Sequence, residues 1–149
     1  MNFDLLREML IRHEGLRLRP YKDTRDLWTI GVGWNMKNEL PEDIKACLNL
    51  TGSITQDMAD RLLNISIDMA VRQCRAIFTN FDKFSDNRQA ALADWIFNVG
   101  AGTAMKFKKM ISAIVQGEWE RAADELQDSK WFSQVGVRGP ELCGMIRNG

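Results

Sequence analysis

The sequence predicts an α+β fold, with a small sheet-bearing lobe made early and a larger helical lobe made late, and three observations predict it. Between Gly15 and Trp34 apolar residues alternate with polar or glycine positions amid turn chemistry, at Pro20, at Asp23-Thr24-Arg25-Asp26 and at Gly31 and Gly33; this reads as a short β-hairpin. From about residue 56 onward apolar residues recur near 3.6-residue spacing in run after run, which reads as helices. Strand signals followed by helix signals, without βαβ alternation, segregate the sheet from the helices. At 149 residues, 45% of them hydrophobic, the chain is long enough for one domain with a real core and no metal or disulfide support. Within that domain, 1–149, the sheet-bearing lobe spans about 14–55, a connecting helix about 56–80, and the helical lobe about 80–149 together with 1–13.

The first helix places Phe3, Leu6, Met9, Leu10 and His13 on one stripe, has Asp4 and Glu8 in its early turns, ends on the acid Glu14, and stops at Gly15. The hairpin follows with Leu16, Leu18, Trp28, Ile30 and Val32 as its apolar positions. After the polar stretch 35–39, Pro41-Glu42-Asp43 opens a short helix that closes near Gly52. Thr55 caps the connecting helix, whose buried face is read as Met58, Leu62, Ile65, Met69 and Arg72. Ser85-Asp86 caps another helix; its stretch 90–98 is apolar almost all round, which makes it the candidate for the buried centre, and Gly100 and Gly102 break it. An amphipathic run at 107–115 stops at Gly117, and helical pieces at 119–126 and 138–146 flank a turn containing Gly136. Trp95, Trp119 and Trp131 fall in helical patterns and read as core, whereas Trp28 and Trp34, near the hairpin, read as cleft residues.

Composition excludes several function classes. Lys and Arg balance Asp and Glu at 20 each, so no overall field draws the chain to nucleic acid. Cys47, Cys74 and Cys143 are odd in number and widely spaced, and with a single histidine they read as reduced core thiols rather than zinc ligands. Asp4, Arg7 and Glu8 interrupt the amino terminus, which lacks the apolar core of a signal peptide, and no apolar run is long enough to span a bilayer. The expectation is a product made in the cytoplasm that needs another protein to reach any substrate outside it.

Glu14, Asp23 and Thr29 carry the chemistry. Two carboxyls and a hydroxyl, brought together from a helix end and a hairpin, are the minimum equipment for cleaving a glycosidic bond. An exposed glutamate, with a pKa of about 4.3, is ionised at neutral pH, so a proton-donating role demands burial or neighbouring negative charge. Each residue also has a plainer reading: a solvated charge at a helix end for Glu14, an Asx turn for Asp23 with Asp26 as its competitor, and β-propensity for Thr29. Gly31 and Gly33 complete no phosphate loop; backbone clearance or strand bending explains them better.

Glu14-Gly15-Leu16-Arg17-Leu18, Tyr21-Lys22-Asp23-Thr24 and Thr29-Ile30-Gly31-Val32-Gly33 together resemble the phage-type lysozymes, the T4-lysozyme-like endolysins. The likeness continues through Ile54-Thr55, 68–72, Ala90-Ala91-Leu92, 97–100, 119–123 and 129–132 to Arg138 and 147–149. It implies a lysozyme-like α+β fold with a cleft between the lobes, and a muramidase that cuts the β-1,4 bond between N-acetylmuramic acid and N-acetylglucosamine in peptidoglycan. It implies Glu14 as general acid, Asp23 as the carboxylate on the other side of the sugar, Thr29 as the hydroxyl that places the attacking water, and inversion at the sugar carbon. Arg138 matches the arginine that pairs with the catalytic glutamate, and Phe97 matches a sugar contact; Gly33, Trp34 and Asn35, beside the hairpin, are the other candidate substrate-binding residues. The family pattern calls for no cofactor and no metal. Its partners are peptidoglycan glycan strands, without nucleic acid or stable membrane insertion, and it is a monomer that relies on a separate holin to pass from the host cytoplasm to the wall.

Some positions depart from the pattern. Trp34 stands where the family has a histidine, which removes an ion pair with Asp68; Asn35 replaces an apolar cleft residue, Met110 a serine and Glu125 an asparagine. Catalysis therefore carries over better than the sugar contacts, which survive mainly at Phe97. A lysozyme domain serving a phage tail or virion is a second reading, disfavoured by the lack of an appended segment. A non-catalytic peptidoglycan-binding module is a third, disfavoured because all three catalytic side chains are present.

Overall fold

A computed structural model describes residues 1–149. The chain gathers into two compact units, one of residues 7–68 and one of residues 1–6 with 69–149, so that α1 (Phe3–Glu14) and α3 (Gln56–Ile77) each contribute to both. A small antiparallel sheet and a set of helices make the α+β fold that the sequence predicts.

The unit of residues 7–68 holds β1 (Arg17–Lys22), β2 (Trp28–Gly31), β3 (Trp34–Asn35) and α2 (Glu42–Thr51), with β2 at the centre of the sheet. The two-residue β3 is too short to show a period of two, and it adds a third strand to the expected hairpin. In the β1–β2 register Arg17 pairs with Gly31 but Tyr21 with Thr29, so four residues of β1 span two of β2. Pro20, which has no N–H to donate, falls in that irregular stretch on the sheet edge, where a missing donor costs least. Ile54 N–H donates to the Leu18 carbonyl at 2.8 Å and ties the chain beyond α2 to the edge strand. Pro41 and the acids Glu42 and Asp43 open α2, and Gly52 closes it in the left-handed conformation, with its N–H on the Leu48 carbonyl.

Ile30, Trp34, Ile44, Ile54, Ala59 and Leu62 form the core of this unit. Each large side chain there contributes roughly 1.5–3 kcal/mol by leaving water. Trp34 is therefore not the cleft aromatic expected of it. It pairs with Ile30 across the sheet, which puts both rows on the core side, and with 5% of its surface exposed the ring has almost nothing to offer a sugar. Trp28, at the start of β2, is 55% exposed with Lys22 Nζ 5.4 Å above its ring.

The long helix corrects another expectation. Thr55 does cap α3, its Oγ1 accepting from Met58 N–H at 3.1 Å. However, the buried residues are Ala59, Leu62, Leu63 and Ile67 and then Ala70, Val71 and Cys74, while Ile65 and Met69 are exposed. At about 100° per residue this stripe is turned by roughly 140° from the expected face, with which it shares Leu62. Large apolar residues drew the sequence reading, but alanines and a cysteine allow the closer approach of neighbours.

In the other unit α4 (Asp86–Val99) is buried from Gln89 to Ile96, as its all-round apolar sequence predicts, and Ser85 caps it by accepting from Arg88 N–H at 3.3 Å. Around it come α5 (Ala101–Ala104), α6 (Lys108–Val115), α7 (Trp119–Gln127), α8 (Lys130–Gln134) and α9 (Arg138–Asn148), with α9 packed on both α4 and α7. Gly100 ends α4 at φ +80°, but Gly102 lies inside α5, so one glycine makes the break. The short α8 holds Trp131, buried as its helical pattern predicts, and Ser129 caps it, its Oγ accepting from Phe132 N–H at 3.2 Å. Trp95 is fully buried with Phe107 edge-on at 5.1 Å, and Trp131 Nε1 donates to Asn98 Oδ1 at 2.8 Å. Trp119 is half-buried under the Arg88 guanidinium, which also donates to the Ile146 and Arg147 carbonyls at the end of α9.

Cys74 and Cys143 are core thiols as expected, but Cys47 is half-buried on α2. Burial pushes the Cys143 thiol up to about 11, against the opposing pull of Arg147, and raises Cys74 further still, so neither offers a thiolate at neutral pH. No helix is long and apolar enough to cross a membrane.

Candidate active site

Glu14 is the last residue of α1. Gly15 follows at φ +75° and donates its N–H to the Ile11 carbonyl at 2.8 Å, which stops the helix one residue after the acid. A carboxylate at this end faces the negative pole of the helix dipole, which disfavours it by roughly 0.3–1 kcal/mol. Helix stability thus gives no reason for a glutamate here. Its side chain is half-buried and extends over Gly33, in the turn between β2 and β3.

Asp23 sits in the turn after β1. Its Oδ1 accepts the backbone N–H groups of Arg25 at 2.8 Å and Leu27 at 3.0 Å, and its own N–H donates to the Leu27 carbonyl at 2.9 Å. This is the Asx-turn role that the type of residue suggests, and it occupies one oxygen only. The other, Oδ2, takes no part in the turn and lies 3.7 Å from the Arg25 guanidinium. Asp26, the competing acid, is exposed, stands at φ +62° and pairs with Lys22 at 3.4 Å.

Thr29 lies on the central strand, 4% exposed, between Tyr21 of β1 and Asn35 of β3. Directly paired residues share a face, so Tyr21, Thr29 and Asn35 form one row on the side of the sheet opposite the Ile30–Trp34 row. The Thr29 hydroxyl donates to the Leu27 carbonyl at 2.9 Å, which leaves its lone pairs as acceptors. Asn35 Oδ1 accepts from Lys37 N–H at 2.9 Å.

Tyr21 is the residue that sequence reasoning missed. Its phenol pKa is raised, first by burial and then by the negative charge of Glu14; Arg17, stacked 4.5 Å from the ring, opposes the shift and Asp23 adds to it. One phenol thus lies within electrostatic reach of both carboxyls, one delivered by the helix and one by the hairpin. The available signal was its place near the end of β1, two residues before the turn acid Asp23. The folded state holds this proton more tightly than the unfolded chain. Its stabilisation is therefore complete below an unfolded pKa of about 10 and is lost as pH rises through the higher folded value. Urea unfolding on either side of about pH 10 should show stability falling over that interval, and Tyr21→Phe should flatten the fall.

Two further residues singled out in the sequence belong to the helical unit. Phe97 is half-buried near the end of α4, and Arg138, at the start of α9, is buried with its Nε donating to Asp94 Oδ1 at 2.8 Å. Met110 and Glu125, which depart from the family pattern, line a pocket of about 300 Å³ together with Phe107 and three lysines.

Two carboxyls and an acceptor hydroxyl on one small unit are suited to acid–base hydrolysis, and comparison with known proteins gives that chemistry a setting. The phage lysozyme family model matches residues 11–148, a stretch that includes Glu14, Asp23, Thr29 and Arg138. The chain belongs to the phage lysozyme family. A probable T4-type lysozyme of Dictyostelium discoideum is 27% identical over 161 residues, which cover 97% of this chain and 94% of that protein. An endolysin of Acyrthosiphon pisum secondary endosymbiont phage 1 is 28% identical over 142 residues, covering 93% and 86%. The pre-baseplate central spike protein of Enterobacteria phage T4 is 29% identical over 157 residues, which cover 95% of this chain and 27% of the spike protein. This phage lysozyme is accordingly a glycosidase-type enzyme, and its α+β architecture is the one described above.

Proposed function

We propose that this phage lysozyme is a muramidase that hydrolyses the β-1,4 bond from N-acetylmuramic acid to N-acetylglucosamine in peptidoglycan. Glu14, as a carboxylic acid, protonates the departing glycosidic oxygen while the bond from that oxygen to the anomeric carbon breaks. Water attacks the opposite face of the sugar and gives up its proton to Asp23. The Asx turn holds Asp23 in place through Oδ1, which leaves Oδ2 to act as the base. Because the Thr29 hydroxyl spends its hydrogen on Leu27, it can only accept from the water, which aims the water's lone pair at the sugar. Asn35, in the same cross-strand row, supplies a sugar contact.

The observation that supports this reading is that Glu14, whose carboxyl lies against Gly33 of the β2–β3 turn, belongs to the same compact unit as Asp23 and Thr29 of the β1–β2 hairpin. Mass spectrometry of digested murein tests it: new reducing ends should be N-acetylmuramic acid, and reducing N-acetylglucosamine ends would overturn the bond assignment. Variants test the residues. Asp23→Asn keeps an Oδ1 acceptor for the turn and should fold normally with activity reduced roughly 10²–10⁴-fold. Asp23→Ala should lose stability as well, by about 1 kcal/mol. Asp26→Ala should retain most activity. An active Asp23→Asn beside an inactive Asp26→Ala would move the role to the wrong acid.

A second reading, a lysozyme module within a virion, is favoured by the likeness to part of the phage T4 spike protein. Recovery of the protein from purified virions would support it, and recovery only from the lysate would support a free endolysin.

A further inference from the structure

Gly33 stands in the β2–β3 turn at φ +65°, a backbone conformation that favours glycine. Its surroundings set it apart from Gly31, which has the same φ of +65°. A methyl group added at Gly31 would lie 3.7 Å from Ala59 Cβ and 3.9 Å from Leu62 Cδ1, ordinary packing distances. One added at Gly33 would lie 3.0 Å from Glu14 Cγ, 3.0 Å from Glu14 Cδ and 3.1 Å from Glu14 Oε2. The space that a side chain would take at residue 33 is filled by the far end of the proposed acid.

We propose that Gly33 is a positioning residue for the reaction: having no side chain, it lets the Glu14 carboxyl rest on the turn backbone, and that seat fixes where the proton is delivered. Backbone clearance for a sugar is what the sequence suggests for residue 33, but the clearance that glycine creates here is used by Glu14. The proposal rests on the reading of Glu14 as the acid. A methyl at this place meets the flexible end of a side chain, not backbone, so the glutamate should swing away while the turn survives. A displacement of that size in a catalytic group lowers turnover about 10²-fold.

The test uses the whole protein with three variants, Gly33→Ala, Gly33→Asn and Gly31→Ala. Asparagine tolerates positive φ better than alanine and still carries a Cβ, so Gly33→Asn keeps the obstruction with less backbone strain. Gly31→Ala carries the strain without the obstruction. Two readouts are taken on folded protein: kcat and KM on soluble murein oligosaccharides, and the near-ultraviolet absorbance titration of Tyr21, the only tyrosine in the chain. Because Glu14 raises the Tyr21 pKa, its displacement should lower that pKa toward the value in Glu14→Gln. Both Gly33 variants should lose kcat about 10²-fold with KM changed less than about twofold, and both should lower the Tyr21 pKa. Gly31→Ala should lose stability while keeping kcat and the titration.

A folded Gly33 variant with wild-type kcat and wild-type titration overturns the proposal. Equal losses in Gly31→Ala also overturn it, since strain alone would then suffice. If neither Gly33 variant folds while Gly31→Ala does, the obstruction is rigid, Glu14 is not what yields, and the seat is structural. Should Glu14→Gln stay active, the assignment of the acid fails, whereas the titration still reports whether residue 33 holds that side chain.

Discussion

Glu14→Gln is expected to lower kcat on peptidoglycan roughly 10²–10⁴-fold while the protein stays folded. The amide keeps the shape that rests against Gly33 but has no acidic proton to give. At the end of α1 the substitution removes a negative charge from the negative pole of the helix. The same variant should lower the Tyr21 pKa, because it deletes the second-largest cause of the upward shift and leaves burial in place. Clearing assays on permeabilised Gram-negative cells, thermal unfolding and the absorbance titration form one experiment. Near-normal clearing by the variant would remove Glu14 from the mechanism, and an unchanged titration would contradict the geometry.

Asp94→Ala is expected to destabilise the protein by about 3–5 kcal/mol, enough to lower Tm by roughly 10 °C. Asp94 is fully buried in α4, and it receives Arg138 Nε at 2.8 Å, from a side chain that is only 8% exposed. Deleting the acid leaves a guanidinium deep in the helical unit without that partner, whereas deleting both charges, as in Asp94→Leu with Arg138→Met, should restore much of the loss. Urea denaturation of the single and double variants measures the coupling. A single variant within about 1 kcal/mol of wild type would show that the pair is not what holds α9 to α4. The family likeness drew attention to Arg138 for its part beside a catalytic glutamate. Within its own unit it also serves as a strut, and the signal was an aspartate in a helix otherwise apolar almost all round.

Much of the candidate site was legible because its parts are local. Glu14 stands at a helix end because Gly15 follows it, Asp23 lies in a turn because its own carboxylate builds one, and Thr29 is on a strand whose apolar neighbours alternate. The three also keep the family's spacing, which pointed to hydrolysis of a glycoside before any distance was known. Tyr21 was not legible as part of the site. Its place on β1 opposite Thr29 depends on the irregular β1–β2 register, in which two extra residues slip between Arg17 and Tyr21. Trp34 misled in the opposite way, since nearness to the hairpin in sequence says nothing about which face of β3 meets the core.

By itself, then, the sequence determined where most of the longer helices begin and stop, that sheet and helices segregate, and that two acids and a hydroxyl share a short stretch of chain. Caps, glycines at positive φ and residue periodicity act over a few positions, and a single chain carries that information in full. Tertiary structure alone decided which side of α3 is buried, where the ring of Trp34 goes, that Asp94 receives Arg138, and that the end of Glu14 lies beside Gly33. Those outcomes depend on which atoms can approach within about 4 Å across long separations in the chain, and packing selects them by shape, which no spacing of residue types encodes.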